Sequence, residues 1–161
     1  MKEHDFDKSL ELGEKGERSL NERYEFNIHT DKQLRGIDGK EKEKTIEVKT
    51  RDFKYLEIWY NQGYMDILFE TISKVETNKL GWIYTSEADI LRYAMANREG
   101  NDIIFYYDYD MNCLRKFFTK NRSRYEEQET STKQGWHTRF VLIPMSHIPN
   151  ECKIQNKSKE G

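Results

Sequence analysis

Short stretches in which apolar and polar residues alternate mark several strands along this chain. In residues 45–50, TIEVKT, the apolar Ile46 and Val48 alternate with the charged Glu47 and Lys49. Successive side chains of a strand point to opposite faces, so this pattern predicts a strand with one apolar and one charged face. Comparable β-favouring patterns predict further strands at residues 24–29, 65–72, 102–109 and 138–145.

Three other segments have the composition and spacing of helices. Ser9 is positioned to cap a helix that ends near Arg23, and Ser86 to cap a second helix that ends near Gly100. A third, amphipathic helix is predicted within residues 110–127. The resulting order of helix, three strands, helix, strand, helix and strand predicts a mixed α/β domain with helices packed on a central sheet.

Composition limits the class of protein. The 161 residues are long enough for one domain with a real core, with flexible ends expected at about 1–7 and 153–161. Charged residues make up 35% of the chain and aromatic residues 13%, and the aromatic share is high enough that the chain is expected to fold. The net charge of −2 does not by itself indicate a nucleic-acid-binding protein. No apolar run is long enough to span a bilayer, and the polar start does not look like a signal peptide.

The spacing of the cysteines and glycines limits the metal sites and cofactors that the chain is expected to have. Cys113 and Cys152 have no metal-binding spacing, so we expect two reduced thiols in a cytoplasmic protein. The glycines at 13 and 16 are not followed by the Lys-Ser/Thr pair of a phosphate loop, so we expect no nucleotide cofactor.

Acidic residues upstream of Lys49 suggest a metal site. Only a chain turn separates Asp38 from the strand that contains Glu47, and Glu17 lies on the predicted first helix. Carboxylates that hold Mg²⁺, beside a lysine that orients water or stabilises negative charge, are what phosphodiester hydrolysis requires. Asp31 remains an alternative to Asp38, and Glu14 an alternative to Glu17. In the simplest competing interpretation, Asp38-Gly39 only begins a hairpin turn and Glu47–Lys49 is only a surface ion pair.

The same residues carry a family resemblance. Asp38 followed by the IEVK stretch of residues 46–49 resembles the signature of the PD-(D/E)XK nuclease superfamily, although Ile37 stands where the signature has proline. GEKGERSL, residues 13–20, is similar to the first-helix motif of its Holliday-junction resolvases and restriction-type members. The resemblance implies a restriction-endonuclease-like αβββαβ core and a Mg²⁺-dependent endodeoxyribonuclease, with Mn²⁺ able to substitute. It also implies that Asp38, Glu47, Glu17 and the carbonyl of Val48 bind the metal and that Lys49 is catalytic.

Contacts with DNA are expected from basic residues near this motif and on the last helix. Arg51 directly follows the motif, while Lys116 and Lys120 lie on the predicted helix at 110–127. Symmetric cutting of two strands would require a homodimer. Glu70 could face the site or the solvent. The alternative function is a non-catalytic DNA-binding or regulatory protein on the same scaffold.

Overall fold

A computed structural model of the chain describes residues 39–41 and 43–154. Their strands form two sheets. The first sheet has the order β1-β2-β5-β6-β9, in which only β2 and β5 pair in parallel; the second is antiparallel and has the order β4-β3-β8-β7. The strands are β1 (Gly39–Glu41), β2 (Lys44–Arg51), β3 (Asp66–Lys74), β4 (Lys79–Leu80), β5 (Ile90–Ala96), β6 (Ile103–Asp110), β7 (Glu127–Ser131), β8 (His137–Pro144) and β9 (Lys153–Ile154).

Three α-helices accompany these sheets in the described part of the chain. They are α1 (Lys54–Gln62), α2 (Trp82–Thr85) and α3 (Met111–Asn121). Helix α3 confirms the amphipathic prediction, because Met111, Leu114 and Phe118 are buried while Asp110 caps the first turn by accepting a hydrogen bond from the Cys113 N–H at 2.8 Å. Mixed α/β architecture is therefore confirmed at the coarse level.

Several details of the predicted order are different in the structure. Strands β2, β3, β6 and β8 confirm four predicted strands, but the described strands divide between two sheets instead of forming one central sheet. The predicted helix at 9–23 and strand at 24–29 lie outside the described residues.

The helix predicted for residues 86–100 is wrong. This segment contains β5, which pairs with β2 on one side and β6 on the other, and its residues 91–96 are all buried. Leu, Arg, Ala and Met favour helices in isolation, but central pairing overrides such weak intrinsic preferences. Ser86 follows α2, and its hydroxyl accepts a hydrogen bond from the Ala88 N–H at 3.3 Å instead of capping a helix.

Helix α1 was not predicted, because its sequence KYLEIWYNQ is rich in residues that favour strands. Local signals nevertheless define both ends. The Asp52 carboxylate accepts a hydrogen bond from the Lys54 N–H at 3.0 Å, and Gly63 adopts a left-handed conformation with φ 86° after the last turn. Trp59 anchors the helix with only 4% exposure.

Strand β2 buries side chains on both of its faces. Ile46 and Val48 belong to a small apolar cluster, as the alternation predicted. On the opposite face, Glu47, Lys49 and Arg51 stand in register with three residues of the larger core cluster on β5, namely Leu91, Tyr93 and Met95. The charged row of β2 therefore points toward the principal core, not simply toward water.

The expectation of two reduced thiols is also wrong in this structure. Cys113 on α3 and Cys152 are joined in a disulfide. Disulfides persist mainly in oxidising compartments, and the cytoplasmic location stays a prediction. The expected flexible end begins with an ordered strand, because Lys153 and Ile154 pair with β6. Among the described residues, no helix is long and apolar enough to cross a membrane.

Candidate active site

The site is built around Glu47 and Lys49, which β2 places on one face. Lys49 Nζ lies 3.0 Å from Glu47 Oε1. The Glu47 side chain is only 4% exposed, whereas that of Lys49 is 38% exposed and so reaches solvent. Glu47 Oε2 is buried and has no hydrogen-bond partner among the described residues. A buried polar oxygen without a partner is costly inside a protein, so this atom needs an explanation.

Glu70 on β3 belongs to the same electrostatic cluster. Burial raises the pKa of its carboxyl, and Glu47 raises that pKa further; Lys49 and a hydrogen bond from the Trp82 backbone N–H oppose the shift. Glu70 is therefore close enough to Glu47 and Lys49 for its charge to interact with theirs. The signal was present in DILFE, residues 66–70, where buried Ile67 and Phe69 alternate with Glu70. Sequence alone did not show which element would cover the opposite face.

The far end of the same row is fully internal. Arg51 is 6% exposed, its NH1 donates to the Tyr93 hydroxyl at 2.8 Å, and its NH2 lies 3.3 Å from Asp66 Oδ1. The guanidinium also stacks on the Tyr55 ring, 4.0 Å from the centroid, and Trp59 Nε1 donates to Asp66 at 3.1 Å. These contacts correct the expectation that Arg51 contacts DNA phosphate, because the side chain is committed to the interior.

The other predicted site residues are placed as follows. Asp38 and Glu17 lie outside the described residues, as do the alternatives Asp31 and Glu14. Strand β1 pairs Gly39 with Ile46, so the described chain begins next to the Glu47 position. The Val48 side chain lies in the smaller apolar cluster, on the face opposite Glu47.

Two predicted DNA contacts remain on the surface. Lys116 and Lys120 are exposed on α3 and line a depression together with Asn112, Arg115 and Thr119. The guanidinium of Arg115 donates hydrogen bonds to the backbone carbonyl of Ile83 in α2, at 2.9 Å, and to that of Ser86, which follows α2, at 2.5 Å. The two lysines therefore supply accessible cationic groups, while Arg115 holds α2 against α3.

The donor chemistry of the acidic cluster fits a hard divalent cation. Carboxylate oxygens suit Mg²⁺ and Mn²⁺, and the unpartnered Glu47 oxygen is an available ligand. Within the part of the chain that the structure describes, no group of three His, Cys, Asp or Glu residues could hold a metal ion. Such an ion would therefore draw its remaining ligands from other acids, water or substrate phosphate.

Comparison with known proteins gives no relative for this chain: no family model, curated protein or solved structure matches it. Any functional conclusion therefore depends on the residues and their geometry.

Proposed function

We propose that this chain is a nuclease that uses Mg²⁺ or Mn²⁺ to hydrolyse DNA phosphodiester bonds, with Glu47 and Lys49 at its centre. The observation that carries the proposal is a buried Glu47 oxygen that has no partner within residues 39–41 and 43–154, beside a lysine that reaches solvent. A bound cation would satisfy that oxygen. The restriction-endonuclease-like arrangement implied by the sequence motif is part of the same proposal.

Each residue has a definable role in this chemistry. A bound cation supplies water activation and charge stabilisation on the phosphate oxygens. Glu47 would hold the cation, with Asp38, Glu17 and the Val48 carbonyl as the further ligands that the family resemblance implies. Lys49 is accessible enough to hold the attacking water and to stabilise negative charge on the phosphate.

Substrate would extend beyond this centre along cationic groups. Lys116 and Lys120 are exposed on α3 and would contact DNA phosphates, which supply salt-dependent affinity without sequence preference. A homodimer would be required for symmetric cutting of both strands.

Cleavage assays with matched variants test this proposal. Supercoiled plasmid and branched DNA are incubated with Mg²⁺ or Mn²⁺ and wild type, Glu47→Ala or Lys49→Ala. We expect metal-dependent cutting that falls by at least about 100-fold in both variants. Lys54→Ala and Glu57→Ala, exposed residues of α1, are the matched controls and should cut like wild type. Absence of wild-type cutting on every substrate, or full activity of Glu47→Ala, would contradict the proposal.

The alternative is a non-catalytic DNA-binding or regulatory protein. The exposed lysines of α3, Lys116 and Lys120, favour it, because they can contact DNA phosphates without any catalysis. Fluorescence anisotropy with labelled DNA separates the two functions. Salt-sensitive binding that weakens in Lys116→Ala and Lys120→Ala, without any cutting by wild type, would support the alternative.

A further inference from the structure

We infer that Glu70 is a cation ligand opposite Glu47, so that the metal bridges the two sheets. This inference rests on the proposed metal-dependent function and adds a ligand that the sequence motif does not contain. Glu47 is on β2 of the first sheet and Glu70 is on β3 of the second. A cation held between them would add a further link between the two sheets.

The contacts of β2 and its neighbour β5 with β3 run in the direction of the two carboxylates. At one end, Arg51 of β2 lies 3.3 Å from Asp66 of β3. Two residues along, Lys49 is in register with Tyr93, whose hydroxyl accepts a hydrogen bond from the Leu68 N–H at 3.0 Å. The next step of two along each strand reaches Glu47 and Glu70. The electrostatic influence of Glu47 on Glu70 agrees with this progression.

The segment around Gly81 packs closely against Glu70. The Gly81 N–H donates to the Thr71 carbonyl at 2.8 Å, and a Cβ at residue 81 would collide with the backbone carbonyl of Glu70. The close approach brings the Trp82 N–H to the Glu70 carboxylate. Glu70 is thus a half-buried, held carboxylate, not an acid extended into solvent.

The orphaned buried oxygen at this position favours a cation. The two carboxylates, Glu47 and Glu70, have the ammonium groups of Lys49 and Lys79 near them. The Glu47 Oε2 atom is buried without a partner among the described residues, which distinguishes this pair from an ordinary acidic cluster. Proteins commonly bind Mg²⁺ through one or two carboxylates, with water and substrate phosphate completing the shell.

Calorimetric titration of the full-length chain with Mn²⁺ tests the assignment. We compare wild type with Glu47→Gln and Glu70→Gln, and use Glu57→Gln on α1 as the matched surface control. Loss of a ligand should weaken Mn²⁺ binding by at least about tenfold in both site variants. The Glu57→Gln variant should bind like wild type. Circular dichroism verifies that each variant is folded.

The outcomes separate this inference from the proposed function. If Glu47→Gln loses Mn²⁺ binding but Glu70→Gln binds within about twofold of wild type, Glu70 is not a ligand and the proposed function is untouched. If wild type binds no Mn²⁺, both are overturned. Should Glu70→Gln fail to fold, Glu70→Asp keeps the charge but shortens the reach, and unchanged affinity in that variant would equally overturn the inference.

Discussion

The two ends of the charged row on β2 differ sharply, although both lie on one strand face and both approach β3. At the Arg51 end, one cation meets one anion, Asp66, and neighbouring aromatic groups add a hydroxyl, an indole N–H and a stacking ring. At the Glu47 end, two carboxylates lie near the ammonium groups of Lys49 and Lys79. Glu47 Oε2 is buried without a partner among the described residues, and so is Arg51 Nε, but the other two nitrogens of Arg51 hold an anion and a hydroxyl.

This difference separates a structural role from a functional one. Opposite charges that hold each other inside a protein fix the position of two elements. A buried carboxylate oxygen left without a partner costs stability, and sites that bind or react are where proteins tolerate that cost. We therefore expect substitutions at the Arg51 end to damage the fold, and substitutions at the Glu47 end to damage function.

The largest effect on stability is expected for Arg51→Ala. Removal of the guanidinium leaves Asp66 buried without its cation and should lower the free energy of unfolding by about 3–5 kcal/mol. Urea denaturation measures the change. Arg122→Ala is the matched control, because its ion pair with Glu127 is partly exposed and should contribute only about 0–1 kcal/mol. Equal losses in the two variants would contradict the structural role.

A smaller loss is expected for Gly81→Ala. The added Cβ collides with the Glu70 carbonyl, so the strand or the segment must shift at a cost of about 1–3 kcal/mol. The shift should also weaken Mn²⁺ binding, since it moves Glu70. Gly135→Ala is the control. An added Cβ there would meet open space, so any loss of stability would come from backbone strain at φ +92° and not from a collision. A Gly81→Ala variant that keeps wild-type stability would disprove the close approach.

At the Glu47 end, Glu47→Gln should change stability by no more than about 1 kcal/mol. The neutral amide is less costly to bury than a carboxylate with one unpartnered oxygen, and Lys49 remains partly solvated. Thermal denaturation of Glu47→Gln and Asp66→Asn compares the stability of the two variants directly. Asp66→Asn should be clearly the less stable variant, and the reverse order would invert our assignment of the two ends.

The smallest effect on stability is expected for the exposed ion pair of Glu76 and His137, which lies outside this row. Glu76 accepts hydrogen bonds from the His137 backbone N–H and pairs with its ring; this side-chain hydrogen bond raises the pKa of His137 above 6.5. The backbone hydrogen bond is the main cause that lowers the pKa of Glu76 to about 2.

The pH dependence of this pair follows from those shifts. The contribution of His137 is fully present below its unfolded pKa of 6.5 and is lost as pH rises through the raised value. The contribution of Glu76 is present above 4.5 and is lost as pH falls toward 2. NMR titration should find the His137 pKa above 6.5 and lower in Glu76→Gln; an identical value in both would contradict the pairing.

Sequence patterns predicted the elements whose signals are local. Strand β2 and helix α3 were predicted because their own alternation or periodicity identifies the buried face. Strand β5 was missed because its pairing with β2 and β6 outweighs a helix-favouring composition. The disulfide joins residues 39 positions apart, and no local pattern reports such proximity.

The site was predicted only in the part that one strand defines. The spacing of Glu47 and Lys49 places them on one face, as the structure has them. The roles of Glu70 and Arg51 depend on how β3 crosses that face, and strand periodicity carries no information about the packing of a second sheet. For that reason Glu70 stayed open, and Arg51 was expected at the surface.

The most direct test of the central claim is the melting temperature of the protein during titration with Mn²⁺. A ligand that binds only the folded state stabilises it by about 2.7 kcal/mol at a hundred times its dissociation constant, which corresponds to several degrees for a chain of this size. We predict such a rise for wild type and for Glu57→Gln, and none for Glu47→Gln. An unchanged melting temperature in wild type, or an equal rise in Glu47→Gln, would contradict a cation site at this end of the row.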